Sequence, residues 1–214
     1  MIEIDGSHGE GGGQIIRTAL ALSTLTNQPF RCTGIRKNRP EPGLKAQHLT
    51  AIAALREICE ADVSEFSLGT ETVEFSPGKI KGGSYSFDIG TAGSITLLLQ
   101  AILPPLLFAP KKTTLTITGG TCGKWQAPIE YFQNVLLPHL QRFADITCTI
   151  KKRGYYPKGN GLVIVEVRPK LSLKDYKTFD DFLTELRKTV NPYSLTSQEQ
   201  LSYIKGISHA STEL

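Results

Sequence analysis

The chain has no C-x-x-C pair, no Walker A loop and no unbroken apolar stretch of membrane-spanning length. Its four cysteines, Cys32, Cys59, Cys122 and Cys148, lie far apart. That spacing argues against structural zinc and against a disulfide framework, and it fits a reducing cytosol. The longest apolar run, Ile95–Phe108, is interrupted by Gln100 and by Pro104-Pro105. It is too short and too broken to cross a bilayer, so a cytoplasmic protein with no membrane partner is expected. The first residues enter a strand at once, and no signal peptide is expected. Strong charge of either sign is also missing. Lys and Arg number 24 against 20 Asp and Glu, a net charge of +4, which permits nucleic acid without demanding it.

What the chain does have is glycine in one place. Asp5-Gly-Ser-His-Gly-Glu-Gly-Gly-Gly-Gln-Ile-Ile-Arg17 holds five glycines among the nine residues 5–13, between a short apolar strand and a helix. Backbone N–H groups in so bare a loop approach a ligand closely, and the following helix aims its positive end at the same place. Glu10 and Arg17 add one carboxylate and one guanidinium beside it. The stretch does not follow G-x-G-x-x-G. It reads as a phosphate site with a metal ligand.

The pattern of elements repeats. In residues 1–80, strands at Met1–Ile4 and Phe30–Ile35 alternate with helices at Gln14–Leu25 and Leu44–Glu60, and strands near Val63–Leu68 and Thr72–Ser76 close the unit. Residues 81–170 run in the same order. A strand at Tyr85–Ile89 precedes the small-residue loop Gly90-Thr-Ala-Gly-Ser94 and a helix from Ile95 to Leu103. A strand at Thr113–Thr118 and a helix at Ile129–Phe143 follow, then strands at Ile146–Lys152 and Leu162–Val167. This is an internal duplication of a β-α-β-α-β-β unit, with two helices on one face of a four-stranded mixed sheet. The expected fold class is therefore α+β or α/β with two such repeats. From 171 the character changes. A polar linker is expected over Leu171–Thr178, a helix over Phe179–Val190, a loop over 191–199 and a strand over Tyr203–Ser208. A helix starts at Ser211, where the sequence stops, as a truncated chain would.

Candidate chemistry gathers in the first unit. The glycine loop holds Glu10 and Arg17. The next loop holds Arg36, Lys37 and Arg39, with Gln47 on the helix after it. Both loops emerge at one end of the sheet, where α/β sites collect. Guanidinium groups match phosphate oxygens bidentately, so three converging arginines make a phosphate clamp. Glu10 among them would hold Mg²⁺. A single loop arginine is most simply a solvated charge, but the set beside a glycine loop favours the clamp. His48 falls on an apolar stripe and reads as partly buried with a local partner. His8 and His139 read as loop and surface residues, and the cysteines as core or loop filler. Trp125 and Pro128 offer flat faces to a base. Arg153-Gly-Tyr-Tyr-Pro-Lys-Gly-Asn-Gly161 is a tight hairpin, or a basic-aromatic contact for RNA.

These loops together resemble those of the RNA 3′-terminal phosphate cyclases. The resemblance rests on Asp5-Gly-x-x-Gly-Glu-Gly-Gly-Gly-Gln-Ile-x-Arg17, on Ile35-Arg-x-x-Arg39 with Pro42-Gly-Leu-Lys-x-Gln-His-Leu49, on Gly90-Thr-Ala-Gly-Ser94 and on the 153–161 turn. It resumes at Ile204-Lys-Gly-Ile-Ser-His-Ala-Ser211. It implies a ring of repeated units with a small α/β insert, of which 171–214 would be the linker and the beginning. It also implies a ligase reaction. ATP adenylates an enzyme histidine, AMP passes to the RNA 3′-phosphate, and the 2′-hydroxyl displaces AMP to leave a 2′,3′-cyclic phosphate. By the resemblance Glu10 is the ligand of Mg²⁺ or Mn²⁺. Arg17, Arg36, Arg39 and Gln47 surround the phosphates and the RNA end. Gln100 binds ATP, and Pro128 packs on its adenine.

Two departures bear on that reading. The family's nucleophilic histidine, its third repeat and most of its insert lie beyond the residues present, and His209 matches a position in the insert, not the nucleophile. Asn160 replaces a glycine, in a turn that Asn tolerates at positive φ. A fragment of a cyclase is the first expectation. A non-catalytic cyclase-like RNA-binding protein of ribosome or RNA processing is the second. An enolpyruvyl-transferase-like enzyme is the third, against which the Arg39–Gly43 loop and the 153–161 turn argue. Apolar faces left by a missing repeat would favour self-association.

Overall fold

Alternating residues set the strands. In Thr113–Gly119 every second residue is buried, and Gly161–Pro169 repeats that pattern through Val163, Val165 and Val167. One face of each sheet is thus covered by helices. The computed structural model describes residues 1–124, 126–190, 196–197 and 200–211. The first half contains β1 (Ile2–Asp5), α1 (Gln14–Thr26), β2 (Phe30–Thr33), α2 (Ala46–Cys59), β3 (Asp62–Val63) and β4 (Val73–Ser76). The second contains β5 (Ser84–Asp88), α3 (Ile95–Leu106), β6 (Thr113–Gly119), α4, β7 (Ala144–Lys152) and β8 (Gly161–Pro169). Helix α4 is α-helical over Ile129–Tyr131, widens to a π-turn over Phe132–Leu136, and closes as α-helix over Leu137–Leu140. A 3₁₀ turn at Leu173–Asp175 and α5 (Phe179–Thr189) follow.

The two four-stranded sheets have the same internal order, β1-β2-β4-β3 and β5-β6-β8-β7. In each the first pair is parallel and the rest antiparallel. The fold is therefore mixed α+β, with five helices among the described residues. Helix α1 packs on α3, and α2 packs on both. Leu20, Ile52, Leu55, Leu98 and Ile102 join one continuous core across that layer. The loops after β1, β2, β5 and β6 leave the carboxyl ends of the parallel strands and lead into helix N-termini.

Several elements differ from expectation. The strand expected over Val63–Leu68 pairs only at Asp62–Val63. Beyond it the chain turns toward the β2–α2 loop, where Gly69 N–H donates to the Leu44 carbonyl and Leu44 N–H to that of Thr70. Gly43 (φ 76) lies so close there that a Cβ would sit 2.2 Å from the Gly69 oxygen. Helix α3 continues through Pro104-Pro105 to Leu106. These prolines fall in its last turn, and buried Leu103 and Leu106 hold it on the core. Residues 171–178 do more than link, since Leu171, Leu173 and Tyr176 pack on the core. Thr178 and Asp181 form a capping box that starts α5, and Phe182 inserts against Phe108 at a ring separation of 4.9 Å. No strand forms over Tyr203–Ser208. The described residues 200–211 carry no regular secondary structure, because no sheet edge pairs with them. Trp125, most of the expected 191–199 loop and the helix start after Ser211 lie outside the described residues. Among the described residues, no helix is long and apolar enough to cross a membrane.

Candidate functional site

The glycine loop is held from two sides. Asp5 accepts hydrogen bonds from the Ser7 N–H (2.9 Å) and hydroxyl (2.6 Å), which keep its carboxyl below the usual carboxylate range. Gly9 and Gly11 turn through the left-handed region at φ 60 and 62. Asn38, from the loop after β2, donates to the carbonyls of Ser7 and Gly9. At Gly13 a Cβ would lie 2.3 Å from His48 Nε2 and 3.2 Å from Arg17 Nη1. The third glycine of the run is therefore what lets these two side chains lie against the loop.

The two loops and the starts of α1, α2 and α3 enclose a cavity of about 660 Å³. Arg17, Arg36, Arg39 and Lys45 line it against a single carboxylate, Glu10, and Gln47 and His48 complete its polar wall. Helix N-termini add positive potential. The four cations are not equivalent. Arg39 Nη2 lies 2.9 Å from Glu10 Oε1 in a solvent-exposed pair. Lys45 is paired with Glu41. Arg36, itself at φ 56, donates from Nη1 to the carbonyls of Glu41 (2.6 Å) and Gly43 (2.9 Å). It staples its own loop, and burial beside Arg39 depresses its pKa. It therefore holds the loop in shape while it lines the cavity.

Arg17 is the exception. Its side chain is 7% exposed, no carboxylate pairs with it among the described residues, and its buried Nε finds no hydrogen-bond partner. Burial lowers its pKa to about 10, so it stays cationic at neutral pH. Beside it, 3.5 Å away, is Nε2 of His48. His48 is 2% exposed. Burial, then the charges of Arg17, Arg36 and Lys45, push its pKa down to about 3. It is neutral at physiological pH. Its Nδ1 accepts the Lys45 N–H at 3.0 Å, so the one ring proton sits on Nε2. The contact with Arg17 thus sets two N–H donors side by side with no acceptor between them. An anion bound in the cavity supplies one.

A second cavity of about 310 Å³ shares Lys45, Gln47 and Leu97 with the first. Its other wall is Thr91–Ser94 with Lys124 and Gln126. Ser94 caps α3 by accepting the Leu97 N–H. Thr96 Oγ1 donates to the Ala127 carbonyl at 2.8 Å, tying the 121–128 loop to the same helix.

Of the residues expected from sequence, the fold gathers Glu10, Arg17, Arg36, Arg39 and Gln47 around one cavity. Gln100, exposed on α3, and Pro128, at the start of α4, line neither cavity. Sequence reasoning missed Lys45, and it read His48 as partly buried with a local partner but did not place it on the site. The signal was there in Leu44-Lys-x-Gln-His48, a polar turn ahead of the apolar face.

The family model described as RNA 3′-terminal phosphate cyclase matches residues 8–209. A protein of that name from Methanosarcina acetivorans is 50% identical over 99% of this chain and 61% of its own length. One from Archaeoglobus fulgidus is 53% identical over 79% of this chain and 52% of its own. One from Pyrococcus furiosus is 49% identical over 82% and 52%. The chain spans about half to three-fifths of the length of these relatives. A solved EPSP synthase from Acinetobacter baumannii aligns at 13% identity with a TM-score of 0.36, a likeness too weak to bear on fold or function.

Proposed function

We propose that this chain, which belongs to the RNA 3′-terminal phosphate cyclase family, seats the terminal phosphate of an RNA in its first cavity and contributes part of the site that converts it to a 2′,3′-cyclic phosphate. The observation that carries this reading is the buried Arg17 guanidinium, whose Nε has no hydrogen-bond partner, with the Nε2–H of His48 beside it. An unpaired buried guanidinium is costly unless a ligand completes it. A phosphate monoester brings two negative charges and several acceptor oxygens to that position. Arg39 reaches it from the exposed rim by exchanging Glu10 for the phosphate. Lys45 and Gln47 stand on the wall common to both cavities, where a second phosphate would meet the first.

On this reading ATP is the co-substrate and the second cavity receives its phosphates. Pro128, at the end of the loop that contributes Lys124 and Gln126, packs on the adenine, and Gln100 contacts the nucleotide one helical turn beyond Leu97. The adenylated histidine is supplied by sequence outside these 214 residues, in keeping with the greater length of the relatives. Cyclisation then needs little covalent help from this part of the protein. Its cations hold the phosphate while one oxygen takes AMP and the 2′-hydroxyl displaces it.

The donor set also bears on the metal. Among the described residues no group of three His, Cys, Asp or Glu is placed to hold an ion, and Glu10 is the one carboxylate on the cavity. That suits Mg²⁺ arriving with phosphate oxygens and water as its other ligands. When bound it would neutralise phosphate charge.

The test is binding of one short RNA with a 3′-phosphate or a 3′-hydroxyl end. The unaltered chain is expected to prefer the phosphate. Arg17→Met, which keeps volume and removes the charge, should weaken that preference roughly 10- to 100-fold, the worth of one or two charge-assisted hydrogen bonds. It should leave the unliganded protein as stable or more so. Arg39→Ala should weaken the preference less. Equal affinity of the unaltered chain for both ends would sink the proposal. Radiolabelled ATP with Mg²⁺ separates a cyclase from a non-catalytic RNA binder: a longer chain that includes the histidine should form an acid-labile protein–AMP adduct.

A further inference from the structure

The turn between β7 and β8 is a basic, aromatic feature that neither cavity uses. Lys151, Lys152, Tyr156 and Lys158 are all exposed there. Tyr156 is 85% exposed, while its neighbour Tyr155 turns inward and meets His209 Nδ1 at 2.9 Å. A large ring left in water on a loose loop would call for no explanation. This loop is not loose. Gly154 N–H donates to Thr121 Oγ1 at 3.0 Å, and Thr121 N–H returns a bond to the Gly154 carbonyl. Gly159 N–H closes on the Tyr155 carbonyl at 2.7 Å. Gly159 and Asn160 both hold positive φ, 72 and 56.

The turn is also placed. Gly159 is pressed so close to the β5–α3 loop that a Cβ would lie 2.5 Å from the Thr91 carbonyl oxygen. Thr91 lines the second cavity, and that cavity shares Lys45 and Gln47 with the first. A path therefore runs from the buried Arg17 and His48, across the shared wall, to a rigid rim that presents one flat ring among lysines.

We propose that Tyr156 is a stacking platform for a nucleobase of the RNA strand upstream of its 3′-terminal phosphate, with the lysines beside it meeting the strand's phosphodiesters. The inference rests on the first cavity seating that terminal phosphate. Recognition of this kind is indifferent to sequence, because every base has a π-face. It asks for single-stranded RNA, whose bases are free to splay onto a ring.

The experiment measures binding to the full chain of three probes: a nucleoside 3′-monophosphate, a 3′-phosphorylated RNA hexamer and ATP. Tyr156→Ala is expected to weaken the hexamer by roughly 5- to 100-fold, the effect of losing one base–aromatic stack. It should leave the monophosphate and ATP unchanged, and Tyr156→Phe should restore the hexamer. Lys152→Ala should lower the slope of log affinity against log salt for the hexamer by about 0.7, one phosphate contact on a single strand. The side chain is in solvent, so misfolding does not confuse the result. Equal loss for monophosphate and hexamer would overturn the platform. Loss for ATP alone would overturn it too, and assign the ring to the nucleotide. The first cavity is judged separately by the monophosphate. If that probe fails to bind the unaltered chain while hexamer affinity still depends on Tyr156, the terminal-phosphate reading falls and the stack stands.

Discussion

Burial is what distinguishes Arg17 and His48 from the other polar residues of the cavity. On the rim Arg39 and Glu10 simply pair with each other in solvent, an interaction of small worth. His48 gives a pH signature whose direction is fixed by its environment. Its folded pKa, about 3, lies below the ordinary value near 6.5. Below that ordinary value the unfolded chain takes up a proton that the native ring refuses. The contribution is therefore complete above about pH 6.5 and lost as pH falls toward 3, by up to about 1.4 kcal/mol per pH unit for one proton. Urea midpoints between pH 7.5 and 4 should fall less steeply for His48→Gln than for the unaltered chain. Parallel curves would show that the ring is not held neutral. Glu10 and Arg17 could be singled out in the sequence because they flank a glycine loop, and Arg39 and Gln47 because they lie in and after the next basic loop; all four line the cavity. The structural duty of Arg36 was not legible there, since it depends on carbonyls that only a folded loop presents.

Among the elements, helix starts were harder to read than helix faces. The apolar spacing of α2 extends back to Leu44, yet the helix begins at Ala46. Lys45 stays extended with its N–H on the His48 ring, the role that Glu or Gln takes at the same position of a capping box. Helix α5 is anchored by few groups, and its docking can be tested. Phe182→Ala removes its one fully buried side chain and should cost about 3–5 kcal/mol of local stability. Hydrogen exchange is then expected to collapse to loop-like protection over 182–189 while β6 and β8 keep theirs. Thr178→Ala should cost about 1 kcal/mol through the lost cap. Unchanged protection in the first variant would mean that the Phe108 contact does not hold the helix.

At the scale of the molecule, the two sheets share one layer of helices and one core. Separate unfolding of the two halves would expose the α1–α3 contact, so a single cooperative transition is expected. The distribution of aromatics makes this easy to follow. Trp125 and all seven tyrosines lie beyond residue 80. Trp fluorescence therefore reports on the second half, and far-ultraviolet circular dichroism reports on both. Coincident melting curves are the expected result. Two separated transitions would show that each half is stable on its own. The shared layer also builds the cavity, because Leu97 at the start of α3 completes a wall otherwise made by first-half loops and the starts of α1 and α2.

Local pattern alone determined the order of the elements, the duplication and the loops that line the cavities. Periodicity and glycine placement act over a few residues and can be read from them. Tertiary structure decided the rest. It determined that β3 would be two residues long, that residues 203–208 would find no partner strand, and that α3 would pass through two prolines. It also determined which cations would be left unpaired. Pairing and burial depend on what other segments bring, and in this protein the decisive case is Arg17, a buried guanidinium with no carboxylate partner among the described residues and no acceptor for its Nε.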